Sequence, residues 1–418
     1  MKENLQIKEV VKMDIVERFL KYVAFDTSSD ESSSCCPSNE KELCLAEFIA
    51  EDLKTIGCTN AHVDDFGYVY AYIPASKGFE DEKPIGFIAH MDTSPDAPGA
   101  DIKVKQFIYN GGDIVLKNGL IIGDEEYNLS FFKGQELICT DGTTLLGADD
   151  KAGASEIVTA FEYLLCHPEL NHGDLYVALT PDEEIGRGTD KFDLNTFRAS
   201  YAYTVDGGRL GEIEYECFNA ASVKITVHGL NIHPGSAKNK MRNSIIYANE
   251  FLSMLPPSER PEHTEGYEGF YHVNEICGDE SETKISIIIR DHDTEKFKKK
   301  KQFVLSIAKF LNDKYGPGTL DVEIVDSYYN MKDKILPHMH IIRKAEDAFK
   351  KEGIEPCHRP IRGGTDGARL SYEGLPCPNL STGGENFHSV KEFVSINAMN
   401  AMVNVIVNIA SDVSDFSS

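Results

Sequence analysis

Three short apolar runs along this chain each end on acidic or histidine residues. The runs are residues 85–89 before His90, residues 175–179 before the acidic residues 182–184, and residues 201–205 before Asp206. Uninterrupted apolar runs of this length, bounded by turn residues, predict buried strands of a parallel sheet. Because ligands gather beyond the carboxyl ends of such strands, we expect these side chains to line one crevice.

Helical periodicity surrounds these runs and completes an α/β pattern. Helices are predicted at residues 10–25, 40–56, 151–165, 340–351 and 395–410, and further short strands at 68–73 and 378–380. Strands that alternate with helices favour a mostly parallel central sheet flanked by helices. We expect this to be the catalytic domain, formed by residues 1–218 and 329–418.

The periodicity changes after the Gly-Gly pair at residues 207–208. Residues 221–227 alternate between apolar and polar side chains, which is typical of a half-exposed strand. The segments that follow are predicted as a helix at 244–255, strands at 269–276 and 283–291, a helix at 294–314 and a strand at 320–325. This order is that of a split βαβ layer. It predicts an inserted α+β domain of ferredoxin-like type at residues 219–328, serving as a lid or dimerisation domain.

Composition narrows the classes of partner and compartment. Lys and Arg number 42 against 68 Asp and Glu, a net charge of −26, which argues against binding to nucleic acid or anionic membranes. No apolar run reaches the roughly 18 residues of a membrane span, and the polar N-terminus lacks the apolar core of a secretory signal. Ten cysteines without metal-binding spacing fit a reduced, cytoplasmic protein.

Five residues have the chemistry of ligands to transition metals, which accept imidazole nitrogen and carboxylate oxygen. They are His90, Asp149, Glu184, Asp206 and His388. Two imidazoles and three carboxylates suit two ions better than one, and a pair of ions needs a shared ligand. Asp149 is the natural bridge, because it lies in a turn just before a predicted helix. Glu183 is the candidate general base, and Asp92 is placed to hold the His90 ring by its second nitrogen.

Each of these residues also has a purely structural interpretation. Asp92 or Asp206, taken alone, is more often a helix cap or turn residue, and the acidic pair at 183–184 could be a solvated first helical turn. His388 alone would more often be a surface loop residue. The metal site is favoured because each structural interpretation is acceptable alone, whereas all of them holding at once at the ends of predicted strands is not.

Four segments carry a resemblance to a known family. They are residues 90–93 (His-Met-Asp-Thr), 147–153 (Gly-Ala-Asp-Asp-Lys-Ala-Gly), 181–186 (Pro-Asp-Glu-Glu-Ile-Gly) and 205–208 (Val-Asp-Gly-Gly). In this order they resemble the co-catalytic zinc peptidases, which include aminoacylases, carboxypeptidase G and dipeptidases. Residues 141–150, 362–370 and 374–380 are similar to the tripeptide aminopeptidase branch of that family. The resemblance spans nearly the whole chain.

The resemblance implies a role for each matching position of the site. One ion is expected on His90, Asp149 and Asp206, and the other on Asp149, Glu184 and His388. Glu183 would be the base and Asp92 the orienting carboxylate, and the peptide between Asp149 and Asp150 is expected to be cis. Zinc is the metal that the family implies, although these ligands also accept cobalt or manganese.

The resemblance also implies residues that bind a short peptide substrate. His233 matches a lid-domain histidine that reaches the substrate carbonyl, and Arg290 and Arg362 resemble residues that bind the carboxylate end of the peptide. Without the family, His233 would be a turn residue before Pro234 and Arg290 the end of an edge strand. A homodimer through the inserted domain is a further expectation.

Two segments depart from the family pattern. Ser389 stands where we expect glycine, which changes the loop slightly but keeps the ligand His388. The Ser- and Cys-rich residues 30–38 differ from the usual loop at that place. They are expected to change the rim of the substrate site and to leave the reaction itself unchanged.

The sequence therefore predicts release of the N-terminal residue from tripeptides by metal-activated water. Two alternatives stay open at this point. The same site could act on dipeptides or N-acyl amino acids, and residues 362–370 argue against that interpretation. The chain could also be a metal-binding scaffold without activity, and the presence of Glu183 argues against it.

Overall fold

The structure, a computed structural model, describes residues 12–413. Contacts divide the chain into two compact units. The first unit contains the chain up to Tyr215, Lys334–Arg359 and the chain from Thr365 onward; the second contains Glu216–Asp333 and Pro360–Gly364. The first two residues of the helix predicted at 10–25 lie outside the described residues. The observed helix begins at Ile15, after the N-cap Asp14, whose side chain accepts the amide of Glu17.

The strands are numbered here in chain order. They are β1 (Thr59–Val63), β2 (Val69–Ile73), β3 (Ile85–His90), β4 (Val104–Ile108), β5 (Ile114–Val115), β6 (Ile121–Ile122), β7 (Glu136–Thr140), β8 (Leu175–Thr180), β9 (Tyr201–Gly207), β10 (Glu212–Glu214), β11 (Asn219–His228), β12 (Phe270–Gly278), β13 (Glu282–Asp291), β14 (Leu320–Tyr328), β15 (Cys357–His358), β16 (Asn379–Ser381), β17 (Gly384–Glu385) and β18 (Phe393–Ser395).

The helices are numbered in the same way. They are α1 (Ile15–Val23), α2 (Lys41–Ile56), α3 (Asp124–Tyr127), α4 (Ala148–Cys166), α5 (Ser244–Met254), α6 (Thr294–Tyr315), α7 (Lys332–Ile335), α8 (Met339–Lys351), α9 (Asp366–Tyr372) and α10 (Ile396–Ser411). None of the described helices combines the length and the apolar character needed to cross a membrane.

An eight-stranded sheet forms the centre of the first unit, in the order β1-β2-β8-β3-β9-β16-β10-β15. Its central strands β8, β3, β9 and β16 are parallel neighbours. Every residue of β3 is buried, as expected for a strand covered on both faces. Helix α4 packs against β3 and β9. The predicted α/β class, with its mostly parallel centre, is confirmed.

A smaller sheet of the first unit was missed by the sequence pattern. Strands β17, β18, β7 and β4 pair in that order, and β5 and β6 form a two-stranded hairpin. No element was predicted between residues 92 and 147, because these strands are short and β4 exposes most of its residues. One of the two partners of β7 is β18, which lies far away along the chain. Local periodicity carries no signal for such a pairing.

The second unit is a four-stranded antiparallel sheet in the order β12-β13-β11-β14. Strand β13 alternates between buried and more exposed residues along its length. Helices α5 and α6 pack on one face of the sheet, where Val223, Ile287 and Phe251 belong to one apolar cluster. Strand order and helix positions are those of the ferredoxin-like layer, so the predicted fold of this region is confirmed.

Candidate active site

The carboxyl ends of the central strands bring His90 and Asp206 together. His90 is the last residue of β3, and Asp206 is the last but one of β9. The two strands are parallel neighbours, so their carboxyl ends meet at one edge of the sheet. The His90 ring nitrogen Nε2 lies 3.3 Å from Asp206 Oδ1.

Asp149 lies between the two candidate histidines. Its Oδ1 is 2.9 Å from His90 Nε2, and its Oδ2 is 3.3 Å from His388 Nε2. The residue stands in the first turn of α4 with non-helical backbone angles, and its peptide bond to Asp150 is cis, as the resemblance implied. One carboxylate thus faces two imidazoles, which is the arrangement of a bridging ligand.

Glu184 completes the group on the side of His388. Its Oε2 lies 2.8 Å from His388 Nε2. Its other oxygen, Oε1, is buried and has no hydrogen-bond partner among residues 12–413. Glu184 lies in a short 3-10 turn directly after β8, and His388 follows β17 in a loop where it adopts a positive φ of 59°. An unpaired buried carboxylate oxygen is costly unless a cation or donor satisfies it.

Asp92 holds more of the site than the sequence predicted. Its Oδ1 is 3.3 Å from His90 Nδ1, and its backbone carbonyl is nearer, at 3.0 Å. The carboxylate also accepts two backbone amides, that of Glu183 at 3.0 Å and that of Glu184 at 3.1 Å. Asp92 therefore fixes the backbone of the candidate base and of one candidate ligand, in addition to the ring of His90.

The neighbouring acids Asp149 and Asp150 can be told apart by what they bind. Among residues 12–413, donor atoms close enough to share an ion form two groups, one with His90, Asp149 and Glu184 and one with His90, Asp150 and Asp206. The carboxylate of Asp150 already accepts the amides of His90, at 3.1 Å, and Gly153, at 3.2 Å. We therefore assign Asp150 to holding the backbone and keep Asp149 as the candidate ligand.

The site concentrates negative charge in a buried place. Burial, reinforced by the charge of Asp149, raises the pKa of Glu184 to about 7, and burial raises the pKa of Asp206 to about 6. Burial and the nearby Asp206 hold the pKa of Glu183 well above its usual range. Hydrogen bonds to Asp149 and Glu184 raise the pKa of His388 to about 11. Bound divalent cations would offset the repulsion among these buried carboxylates, so the donor set fits a metal pair.

Sequence reasoning missed the residue that holds the Asp149 turn. Glu392 is buried, and its carboxylate accepts the backbone amides of Leu146 at 2.6 Å, Gly147 at 2.8 Å and Asp149 at 3.0 Å. Glu392 comes four residues after His388 and one before β18. No local pattern marks it, because its partners lie more than 240 positions earlier in the chain.

Two further acids brace the segment that carries Glu183. Asp182 is buried, and both of its carboxylate oxygens accept the amide of Ser38 at 2.9 Å. The Thr180 hydroxyl donates to Asp366 Oδ2 at 2.7 Å. Burial raises the pKa of Asp366 to about 7. The Ser- and Cys-rich segment around Ser38 is thus attached to the backbone next to the candidate base.

His233, Arg290 and Arg362 belong to the second unit. His233 is exposed, and its Nδ1 accepts the amide of Gly235 at 3.1 Å, so it occupies the turn that its sequence position indicated. Arg290 donates through Nη1 to the carbonyl of Arg362 at 3.1 Å. The Nε of Arg290 is buried and has no hydrogen-bond partner in the described chain.

The guanidinium of Arg362 donates more hydrogen bonds than that of Arg290. Its Nη1 donates to the carbonyls of Gly266 at 2.7 Å and Glu268 at 3.0 Å. Its Nη2 donates to the carbonyl of Thr264 at 3.3 Å and to the hydroxyl of the same residue at 2.9 Å. The four terminal N–H groups of its guanidinium are therefore occupied by one loop of its own unit.

Comparison with known proteins gives a consistent result. A family profile described as a peptidase dimerisation domain matches residues 215–319. A protein named Peptidase T from Caldanaerobacter subterraneus is 56% identical over 402 residues, which cover 94% of this chain and 97% of that protein. Another Peptidase T, from Clostridium perfringens, is 55% identical over 395 residues, covering 94% and 97%.

Solved structures share the fold. The crystal structure of an aminopeptidase PepT from Bacillus cereus aligns with a TM-score of 0.74 at 23% identity, covering 95% of this chain and 97% of that one. High identity over nearly the full length of both chains, together with the shared fold, confirms the resemblance read from the sequence motifs. The chain belongs to the peptidase T family.

Proposed function

We propose that this protein is a metal-dependent aminopeptidase that releases the N-terminal residue from tripeptides. The observation that carries the proposal is the Asp149 carboxylate, whose two oxygens face His90 at 2.9 Å and His388 at 3.3 Å. Further support comes from Glu183, the candidate base, whose backbone amide is held by Asp92. Membership of the peptidase T family supports the choice of substrate.

Two divalent ions, most simply zinc, are proposed for the site. His90, Asp149 and Asp206 would hold one ion, and Asp149, Glu184 and His388 the other. Cobalt and manganese accept the same donors. A related structure from Bacillus subtilis, with a TM-score of 0.65 at 15% identity over 95% of this chain and 96% of that one, is described as a dinuclear metal-binding peptidase. When bound, such ions polarise a carbonyl oxygen and lower the pKa of water toward about 7.

Glu183 is the proposed proton carrier of the reaction. Its carboxylate would take a proton from the attacking water and return it to the nitrogen of the departing amine. Asp92 contributes by geometry, because its two oxygens hold the amides of Glu183 and Glu184 at 3.0 and 3.1 Å. The base and one ion ligand are thereby fixed relative to His90, whose ring the same residue contacts.

His233, Arg290 and Arg362 are proposed as residues that recognise the peptide. Arg290 is the better candidate for the peptide carboxylate, since its buried Nε is unpaired in the described chain. Arg362 would act through the loop that it holds and through its carbonyl, which accepts from Arg290. His233 remains the candidate for the substrate carbonyl.

The organisation of the protein is part of the proposal. Residues 219–328 are proposed as the lid or dimerisation domain, and residues 1–218 and 329–418 as the catalytic domain. The match to a peptidase dimerisation domain supports a homodimer. The net charge of −26 supports an enzyme of short peptides without nucleic-acid or anionic-membrane partners. A cytoplasmic location is proposed from the ten cysteines, which lack metal-binding spacing.

Hydrolysis by metal-free and metal-loaded protein tests the proposal. Protein stripped with a chelator would be assayed with trialanine, N-acetyl-trialanine, dialanine and tetraalanine, before and after addition of zinc, cobalt or manganese. The products would be identified by mass spectrometry. We expect metal-dependent release of one alanine from trialanine, and none from the acetylated form.

Three other outcomes would replace the proposal. Cleavage of dialanine in preference to trialanine would make the protein a dipeptidase, and cleavage of the acetylated substrate would make it an N-acyl-amino-acid amidohydrolase. Metal binding without turnover of any substrate would indicate a scaffold.

A further inference from the structure

At the start of helix α4 the amide of Lys151 donates locally, to the carbonyl of Gly147 at 3.3 Å, whereas the amides of Leu146, Gly147 and Asp149 donate to a residue far along the chain. The N-cap of α4 is Gly147, which has a positive φ of 77° and no side chain that could cap the helix. Asp149 and Asp150 depart from helical angles. These three amides therefore depend on a distant acceptor, because unpaired buried N–H groups are costly.

Glu392 supplies those acceptors from a distant part of the chain. Its Oε2 accepts from Leu146 and Gly147 at 2.6 and 2.8 Å, and its Oε1 accepts from Asp149 at 3.0 Å. The side chain is buried, with only 1% of its surface exposed. A carboxylate that receives three amides fixes the turn in position and in orientation.

The segment that carries Glu392 also carries His388. The connecting loop is tied internally, because the Ser389 hydroxyl donates to the carbonyl of Asn386 at 2.9 Å and accepts the amide of Lys391 at 3.1 Å. The amide of Glu392 donates to the carbonyl of Ser389 at 3.2 Å. A shift of Glu392 would therefore move His388 with it.

We infer that Glu392 is a positioning residue that sets the spacing between Asp149 and His388 for the second metal ion. Asp149 and His388 are distant in sequence, yet Asp149 Oδ2 and His388 Nε2 lie 3.3 Å apart. Glu392 joins the two segments that carry them. The inference rests on the proposed function, because it assigns these two residues as ligands.

The first ion is expected to depend less on Glu392. His90 and Asp206 lie on β3 and β9, whose pairing fixes their spacing. The second ion takes His388 from the loop and Glu184 from a short turn. Loss of Glu392 should therefore weaken the second ion more than the first. Supporting groups of this kind change metal affinity by roughly 10- to 100-fold.

Cobalt titration of the metal-free full chain tests the inference. The variant Glu392→Gln keeps the side-chain shape but turns an NH2 group toward one of the three amides. Binding would be followed by the absorption spectrum of the bound cobalt. We expect the wild type to bind two cobalt ions, and Glu392→Gln to bind the second ion roughly 10- to 100-fold more weakly. Affinity for the first ion should change by a clearly smaller factor.

Two further variants make the result decisive. Glu169→Gln is the matched control, since it makes the same chemical change on an exposed residue of the same unit, and it should titrate as wild type. Ser389→Ala removes the hydroxyl that ties the loop and should weaken the same second step by a smaller factor. It provides the test if Glu392→Gln does not fold.

The outcomes separate this inference from the proposed function. Two unchanged binding steps in Glu392→Gln, or equal weakening of both steps, would overturn the role of Glu392 while leaving the metal pair intact. A wild-type chain that binds no cobalt would overturn the proposed function itself. Unfolding of Glu392→Gln together with wild-type binding by Ser389→Ala would also count against the inference.

Discussion

The two units of this protein differ in how their strands are buried. Strand β3 of the first unit is buried at all six positions, whereas β13 of the second alternates between buried and more exposed residues. A strand buried on both faces has no room for polar side chains except at its ends. An alternating strand can carry polar side chains along its open face, and β13 carries Arg290 in this way.

The candidate residues of the two units also differ in the number of hydrogen bonds that hold them. His90 and Asp149 lie in a network whose carboxylates bind backbone amides, through Asp150 and Glu392. The guanidinium of Arg290 donates to the carbonyl of Arg362, and its Nε has no hydrogen-bond partner among residues 12–413. We therefore expect changes at the site residues of the first unit to abolish chemistry or metal binding, and changes at Arg290 to affect substrate affinity.

The largest effect is expected from Glu183→Gln in the first unit. Removal of the proton acceptor should lower kcat for trialanine by about 10²- to 10⁴-fold, since the amide cannot take the proton of water. Cobalt stoichiometry and the midpoint of thermal unfolding should stay close to wild type, because the Asp92 contacts involve the backbone of Glu183. Steady-state kinetics with Glu169→Gln as control would measure this. A variant that retained more than about a tenth of kcat would remove Glu183 from the mechanism.

A smaller and different effect is expected from Arg290→Lys in the second unit. Lysine keeps the charge but loses the planar fork, so KM for trialanine should rise by about 10-fold or more while kcat changes little. Arg260→Lys, an exposed residue of the same unit, is the matched control. The same rise in KM for alaninamide derivatives that lack the terminal carboxylate would show that Arg290 does not bind that group.

Arg362→Lys should behave differently from Arg290→Lys. The guanidinium of Arg362 holds the carbonyls of Thr264, Gly266 and Glu268. Its replacement should therefore lower the thermal midpoint of the protein as well as raise KM. Equal effects of the two substitutions on KM, without any loss of stability, would assign Arg362 to the substrate directly.

The sequence predicted the central strands and the candidate ligands because both have local signals. His90 and Asp206 each end an uninterrupted apolar run, so their convergence follows from the parallel sheet alone. Asp149 was marked by its turn before a helix and by the family motif around it. The ferredoxin-like layer was predicted from the alternation at residues 221–227 and from the order of the predicted elements that follow it.

What the sequence did not predict depends on contacts between distant segments. Glu392 acts on amides near residue 147, and β18 pairs with β7, and neither relation leaves a periodic trace. Arg362 was expected to bind the substrate. In the structure its N–H groups donate to residues of the 264–268 loop, and these partners depend on how that loop folds. Hydrogen-bond partners of this kind become visible only when the chain is folded.

The smallest predicted effect on activity concerns a buried acid that the reaction does not use. Glu156 lies in α4 with its side chain buried, and both carboxylate oxygens lack a hydrogen-bond partner among residues 12–413. Burial raises the pKa of Glu156 well above its usual range. The folded protein then keeps a proton that the unfolded chain releases near its ordinary pKa. The contribution of Glu156 to stability is therefore present at low pH and is lost as pH rises toward the folded pKa.

Glu156→Gln removes that titration and should flatten the dependence of stability on pH. Above the unfolded pKa, each pH unit should lower the free energy of unfolding of wild type, relative to the variant, by about 1.4 kcal/mol until the folded pKa is reached. Urea unfolding at about pH 6 and about pH 8, with chelator present, would measure the difference, because other groups titrate alike in both proteins.

Asp291→Asn is the corresponding substitution of a buried acid in the second unit. The Asp291 pKa is raised by a less complete burial, and its carboxylate accepts the amide of Asp293, so its effect should be smaller. Parallel pH curves for wild type and Glu156→Gln would mean that Glu156 is charged in the folded protein, and that burial in the first unit does not exclude an unpaired charge.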